Sequence, residues 1–195
     1  MTSTSELLVD GFGRVHETVH TVVQGRSLDA LLFRPDESAN PIGWLIWHLT
    51  RVQDDHVAEV AGTEQRWTAE GWDARFALPF ERLETGYGQD PRDAGAVAVE
   101  PALLLGYHDA VHAATVGYLR PLVDADFDRV VDTRWDPPVT LGVRLMSVLA
   151  DDLQHVGQAA YVLGLFERRG LFEQRGLFEQ RGLFEQRGLF EQRDP

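Results

Sequence analysis

The sequence predicts an all-α protein: a four-helix bundle followed by a C-terminal hexapeptide-repeat extension that is itself helical. Three observations carry this. Four segments repeat apolar residues at three- and four-residue steps, no stretch alternates apolar and polar residues convincingly over the length of a strand, and the last part of the chain is a tandem repeat of good helix formers. With 195 residues, 44% of them hydrophobic, the chain can bury a core without disulfides or a structural metal. The expected division is a bundle over residues 1–163 and a repeat tail over 164–195.

The first helix is expected from residue 4 to about 25, where Leu8, Phe12, Val15, Val19 and Val22 form a stripe behind the capping candidates Ser3 to Ser5. The second begins after Asn40-Pro41 and carries Ile42, Leu45, Ile46, Leu49, Val52 and Val60 on one face until Gly62 stops it. The third runs from Pro101 to about Leu122. The fourth opens after Pro137-Pro138 with Thr140 as cap, and Leu145, Leu149, Leu153, Val156, Ala160 and Leu163 form its stripe. Between the second and third lies a connection from Thr63 to Val99, far longer than helix connections usually are. Its Trp67, Trp72, Phe76, Phe80 and Tyr87 argue for an ordered segment folded back over one end of the bundle.

The tail starts from the hexad Gly164 to Arg169 and repeats it four times as Gly-Leu-Phe-Glu-Gln-Arg, ending at Arg193. On a helix a six-residue step advances about 600°, so successive Leu-Phe pairs lie about 120° apart and make three apolar lines instead of one stripe. Such a helix cannot bury itself against one surface. It is expected to associate with copies from other chains, making the protein a homo-oligomer.

Composition narrows the function. With no cysteine, zinc-thiolate sites and chemistry by the protein's own thiol are excluded, so any reacting thiol must be a substrate. The net charge is −13, and residues 1–163 hold 12 basic against 25 acidic side chains, which argues against a nucleic-acid partner. The longest apolar runs fall short of a membrane span and the N-terminus lacks a signal pattern, so a cytoplasmic location without membrane attachment is expected.

Seven histidines are candidates for chemistry: His16, His20, His48, His56, His108, His112 and His155. His16/His20, His108/His112 and Asp151/His155 are each spaced i,i+4 and could each grip an ion from one helical face. Most such pairs in helical proteins are coincidental. A helical wheel places His56 near the centre of the second helix's apolar face and His48 at its edge, and it points Asp152, not Asp151, along the middle of the fourth helix's stripe. A buried carboxylate needs a partner or a metal, so the cluster Asp151, Asp152, His155 stands out without fixing a ligand set.

The stretch Asn40-Pro-Ile-Gly-Trp44-Leu-Ile-Trp-His48-Leu-Thr-Arg51-Val-Gln-Asp-Asp-His56, with Asp151-Asp-Leu-Gln-His155-Val-Gly-Gln158, resembles the DinB-like superfamily, closest to the mycothiol-dependent maleylpyruvate isomerases of actinobacteria. The resemblance spans residues 4 to about 166. It implies a four-helix bundle with a divalent metal held by His48, Asp151 and His155. The middle ligand is usually His in the superfamily and Glu in the isomerases, and the shorter Asp leaves Asp152 as an alternative at i,i+3. Two imidazoles and a carboxylate leave coordination positions open; zinc is the first expectation, with nickel and iron compatible with the same donors. The resemblance further implies a transferase or isomerase that uses a low-molecular-weight thiol, such as mycothiol, as cosubstrate and takes a small electrophile as substrate. Arg51 and Trp44 are candidates for substrate contact, and Asp152, Gln158 and His56 for the shell around the ligands. The opposing reading is a non-catalytic metal-binding bundle serving as an interaction module, with the tail as its assembly arm.

Overall fold

Ser3 starts the first helix as the sequence leads one to expect: its hydroxyl accepts from the Glu6 amide at 3.2 Å, while the Ser3 amide donates to Glu6 Oε2 at 2.9 Å. The resulting α1 spans Thr4–Val23. In the computed structural model, which describes residues 2–190 and side chains through Arg169, there follow α2 (Leu28–Leu32), α3 (Ile42–Ala61), α4 (Arg66–Ala69), α5 (Trp72–Phe76), α6 (Pro101–Leu119) and α7 (Leu141–Phe190). The four helices expected from periodicity are α1, α3, α6 and α7. Gly62, at φ 68°, ends α3 in the left-handed conformation that favours glycine. The expectation that repeat side chains form three apolar lines lies outside the described residues.

Three features exceed the sequence reading. The short α2 is capped by Ser27, whose side chain accepts from the Ala30 amide. Val130–Asp132 (β1) and Val139–Thr140 (β2) pair antiparallel just before α7, in strands too short to show a period. The parental hexad packs on the bundle: Phe166 lies against Phe33 with ring centroids 5.4 Å apart, and Arg26 Nη1 donates to Glu167 Oε1 at 2.9 Å.

Around the core, α1 packs on α6 and α7, and α3 packs on α6 and, most extensively, on α7. Phe12, Val15, Val19, Leu45, Ile46, Leu49, Val111, Leu145 and Val156 fill the centre. The 63–99 connection lies over the N-terminal half of α3, where Trp67 meets Trp47 at 6.5 Å and Tyr107 at 5.1 Å. No helix among the described residues is long and apolar enough to cross a membrane.

Beneath that connection lies a buried polar network. Asp54 accepts hydrogen bonds from the Arg66 and Trp67 amides at 2.8 Å each and from the Tyr107 hydroxyl at 2.8 Å. Arg51, fully buried, donates to Gln65 Oε1 (2.9 Å), Tyr107 Oη (3.2 Å) and the Leu83 (3.2 Å) and Glu84 (3.3 Å) carbonyls, and lies 3.7 Å from Asp54. Burial pushes the Asp54 carboxyl upward; these donors and the guanidinium pull it back without fully cancelling the effect.

Candidate metal centre

The i,i+4 spacing on α7 stacks Asp151 and His155 on one face, turned toward α3, where His48 sits one turn after Trp44. Nitrogen and oxygen atoms of His48, Asp151 and His155 all lie within 4.8 Å of one another, and His155 Nε2 is 3.6 Å from Asp151 Oδ1. The two imidazoles meet edge to face, with centroids 4.7 Å apart.

Each imidazole is oriented through its other nitrogen. His48 Nδ1 lies 2.5 Å from the Thr85 carbonyl oxygen, and since that oxygen can only accept, Nδ1 carries the proton and Nε2 keeps its lone pair. His155 Nδ1 lies 2.9 Å from Gln158 Oε1, which gives the same tautomer. Fixing a ligand's tautomer by an outer hydrogen bond is the usual arrangement around a histidine-bound metal. The indole of Trp44 stacks on His48 at 4.6 Å and is pinned by its own bond from Nε1 to Gln89 Oε1 at 2.6 Å.

The electrostatics fit a cation. Burial lowers the His48 imidazole below its ordinary range, favouring the neutral ligand form. Burial would raise Asp151, but the neighbouring imidazoles outweigh it, and the carboxyl stays below its ordinary value and ionised. For His155, burial lowers, but the Asp151 carboxylate 3.6 Å away and the Gln158 hydrogen bond prevail and hold it above the ordinary range. Asp151 Oδ2 is buried without a hydrogen-bond partner, an orphaned acceptor that a cation would satisfy. His48 is 5% exposed, whereas the Asp151 and His155 side chains are 37% and 19% exposed, so the centre is closed on the α3 side and open on the α7 side.

Of the residues considered around the ligands, Gln158 and Trp44 touch them, and three do not. Asp152 is fully buried and both its oxygens lack partners; burial first, then the charge of Asp151, pushes its carboxyl well above the ordinary range. His56 lies two turns along α3, 35% exposed, with Nδ1 2.9 Å from Arg144 Nη1 beside Glu59; it is not part of the shell around His48. Arg51 is no substrate anchor either, because its guanidinium is occupied by the network under the connection. A cavity of about 600 Å³ opens between α3 and α6, lined by Asp54, Val57, Ala58, Ala110, Ala114 and Tyr118, away from the three ligands.

Sequence reasoning missed Thr85, Gly86 and Gln89. Thr85 acts through its backbone, which leaves no signature, but Gly86 and Gly88, both at positive φ around Tyr87, mark a tight turn. A Cβ on Gly86 would lie 2.9 Å from Trp47, 3.0 Å from Trp44 and 3.0 Å from His48 Nδ1, on a backbone at φ 90°. Gly86→Ala is therefore expected to displace the Thr85 carbonyl from His48, destabilising the fold by roughly 1–2 kcal/mol and weakening metal binding about tenfold or more. Thermal melting and a metal titration of the two proteins check this.

Fold and centre together define a helical-bundle protein with a candidate mononuclear two-histidine, one-carboxylate site. The model of the DinB superfamily matches residues 12–159, and the chain belongs to that superfamily. A solved structure described as a conserved protein of locus from Enterococcus faecalis is 28% identical in sequence, with a TM-score of 0.78 over 84% of this chain and 96% of that one. No curated protein matches the chain significantly.

Proposed function

We propose that this chain is a metal-dependent enzyme in which one divalent ion, zinc first among the candidates, is held by His48, Asp151 and His155 and activates a low-molecular-weight thiol for transfer to a small electrophile or for its isomerisation. The observation that carries the reading is the pair of imidazoles held through Nδ1 by outer hydrogen bonds, with candidate ligand atoms of His48, Asp151 and His155 all within 4.8 Å of one another. Three protein ligands leave room for an exogenous one, on the side where Asp151 meets solvent. An open-site cation lowers the pKa of a bound thiol and presents a thiolate at neutral pH. The protein offers no cysteine to compete for that position. Mycothiol, implied by the resemblance of the two motifs to the maleylpyruvate isomerases, is the first thiol to test. Calorimetric titration of the zinc-loaded protein should give one binding event per chain that disappears in Asp151→Ala; absence of heat with mycothiol and with other small thiols would remove the thiol reading while leaving the metal centre intact.

A second reading, a non-catalytic bundle that assembles through its repeat tail, draws support from the anchoring of the parental hexad by Phe33 and Arg26, which gives the copies a fixed base. On an ideal helix, three hexads would fill five turns at 3.6 residues per turn, about 18 residues, so that Leu-Phe pairs would return to the same azimuth without supercoiling, open to cover by neighbouring helices. Truncation after Arg169 is then expected to lower the oligomeric state in light scattering while leaving metal content unchanged; an unchanged number of chains per particle contradicts the assembly role.

A further inference from the structure

Across the bundle from this centre, the α1–α6 seam holds a second group of ligand-type side chains. His16 and His20 stand one turn apart on α1, and both direct Nε2 at one oxygen of Asp109 on α6, Oδ1, at 2.8 and 2.7 Å. Their rings are tilted by 52° with centroids 4.6 Å apart, so the two nitrogens converge on one point. The three candidate ligand atoms lie within 4.8 Å of one another. His112 stacks on His16 at 4.3 Å, and its Nδ1 is buried without a hydrogen-bond partner. His108 closes the cluster from the core side, stacked on His16 at 5.6 Å and 3.1 Å from the Thr50 hydroxyl.

We propose that His16, His20 and Asp109 form a second divalent-cation site, separate from the α3–α7 centre and selective for borderline ions such as zinc. Two imidazoles and a carboxylate are the donors such ions prefer. A tetrahedral ion with ligands at about 2.0–2.1 Å separates its donors by about 3.3 Å, so the present nitrogen–oxygen contacts need to widen by only about half an ångström. All three side chains are partly open to solvent, which gives the ion a path in and leaves room for water at the remaining position. Unlike His48 and His155, no hydrogen bond fixes the Nδ1 atoms of His16 and His20 among the bonds the structure describes. The site therefore fills after the α3–α7 centre, and each chain binds a second, weaker equivalent.

The test is a zinc titration of the full chain carrying His155→Ala, which removes the α3–α7 centre from consideration, followed by the same titration with His16→Gln, His20→Gln or both added. Glutamine keeps a polar group that can reach Asp109, and circular dichroism verifies that the helices remain. The expected result is one zinc equivalent in the His155→Ala protein, an affinity at least tenfold lower in either added single variant, and no binding when both are present. Zinc uptake that survives both glutamines, or no uptake in the His155→Ala protein, would show that Asp109 is only a hydrogen-bonded clamp between α1 and α6. Neither outcome bears on the thiol chemistry proposed for the other centre.

Discussion

His155→Ala is expected to strip the tightly held metal from the protein, which as purified should carry about one divalent ion per chain. Outer partners of metal-bound histidines alone are worth about 10–100-fold in affinity, so loss of a direct ligand should exceed that range. The structure adds a reason for severity. Asp151 and His155 are the two donors on α7, and with His155 gone the only imidazole left is His48, on the far side of the seam. His16→Gln or His20→Gln should leave this first equivalent in place. Elemental analysis after dialysis measures both; equal metal in wild type and His155→Ala would defeat the assignment. Acid acts in the same direction. A metal competes with the proton on His155, whose affinity for it the nearby Asp151 carboxylate and the Gln158 hydrogen bond raise above the ordinary imidazole range against the effect of burial, so occupancy should fall as the pH drops through and below that raised value.

The largest effect on stability is expected at Asp54, which carries no metal-binding role. Asp54→Ala leaves the fully buried Arg51 guanidinium without its carboxylate and takes the acceptor from the Arg66 and Trp67 amides and the Tyr107 hydroxyl. Removing one partner of a buried ion pair costs about 3–5 kcal/mol. For a chain of this size that corresponds to a melting temperature lower by roughly 6–20 °C. The connection over α3 hangs on this network, because Arg51 also holds the Leu83 and Glu84 carbonyls next to Thr85. Asp54→Ala should therefore weaken metal binding secondarily, through His48. Calorimetric melting checks the first effect; a loss below about 1 kcal/mol would place the pair among weakly coupled ions.

How far the site could be read from sequence depended on which helix carried the residue. On α7 the wheel places Asp152 correctly in the core, but Leu153 (45% exposed) and Ala160, both expected in the apolar stripe, face solvent, and the buried face runs through Val148, Ala159 and Val162 instead. Asp151, about 100° from Asp152 around the axis, consequently points into the seam with α3. On α3 the wheel gave the reverse of what is found: His48 is buried and His56 is near the rim. A wheel assumes one covered face, but the 63–99 connection covers the N-terminal half of α3 from the other side as well, and residues 42–51 are all buried whatever their azimuth. The same covering turned Arg51 from a candidate substrate anchor into a structural cation. Nothing in single-helix periodicity carries that information, since it depends on a long-range contact. The resemblance of two motifs supplied the set His48, Asp151 and His155, which the geometry then brought together. The Thr85 carbonyl and the Gln89 amide, which hold His48 and Trp44 in place, come from that connection and have no motif of their own.

The central claim is that His48, Asp151 and His155 hold one ion through the two Nε2 atoms. Anomalous diffraction at the zinc absorption edge, from crystals of the zinc-loaded protein, tests it most directly. The account predicts a peak about 2.0–2.2 Å from His48 Nε2, His155 Nε2 and an Asp151 carboxylate oxygen, with the Thr85 and Gln158 hydrogen bonds kept. A loaded crystal with no peak there, or with the ion on Nδ1 of either histidine, would contradict it.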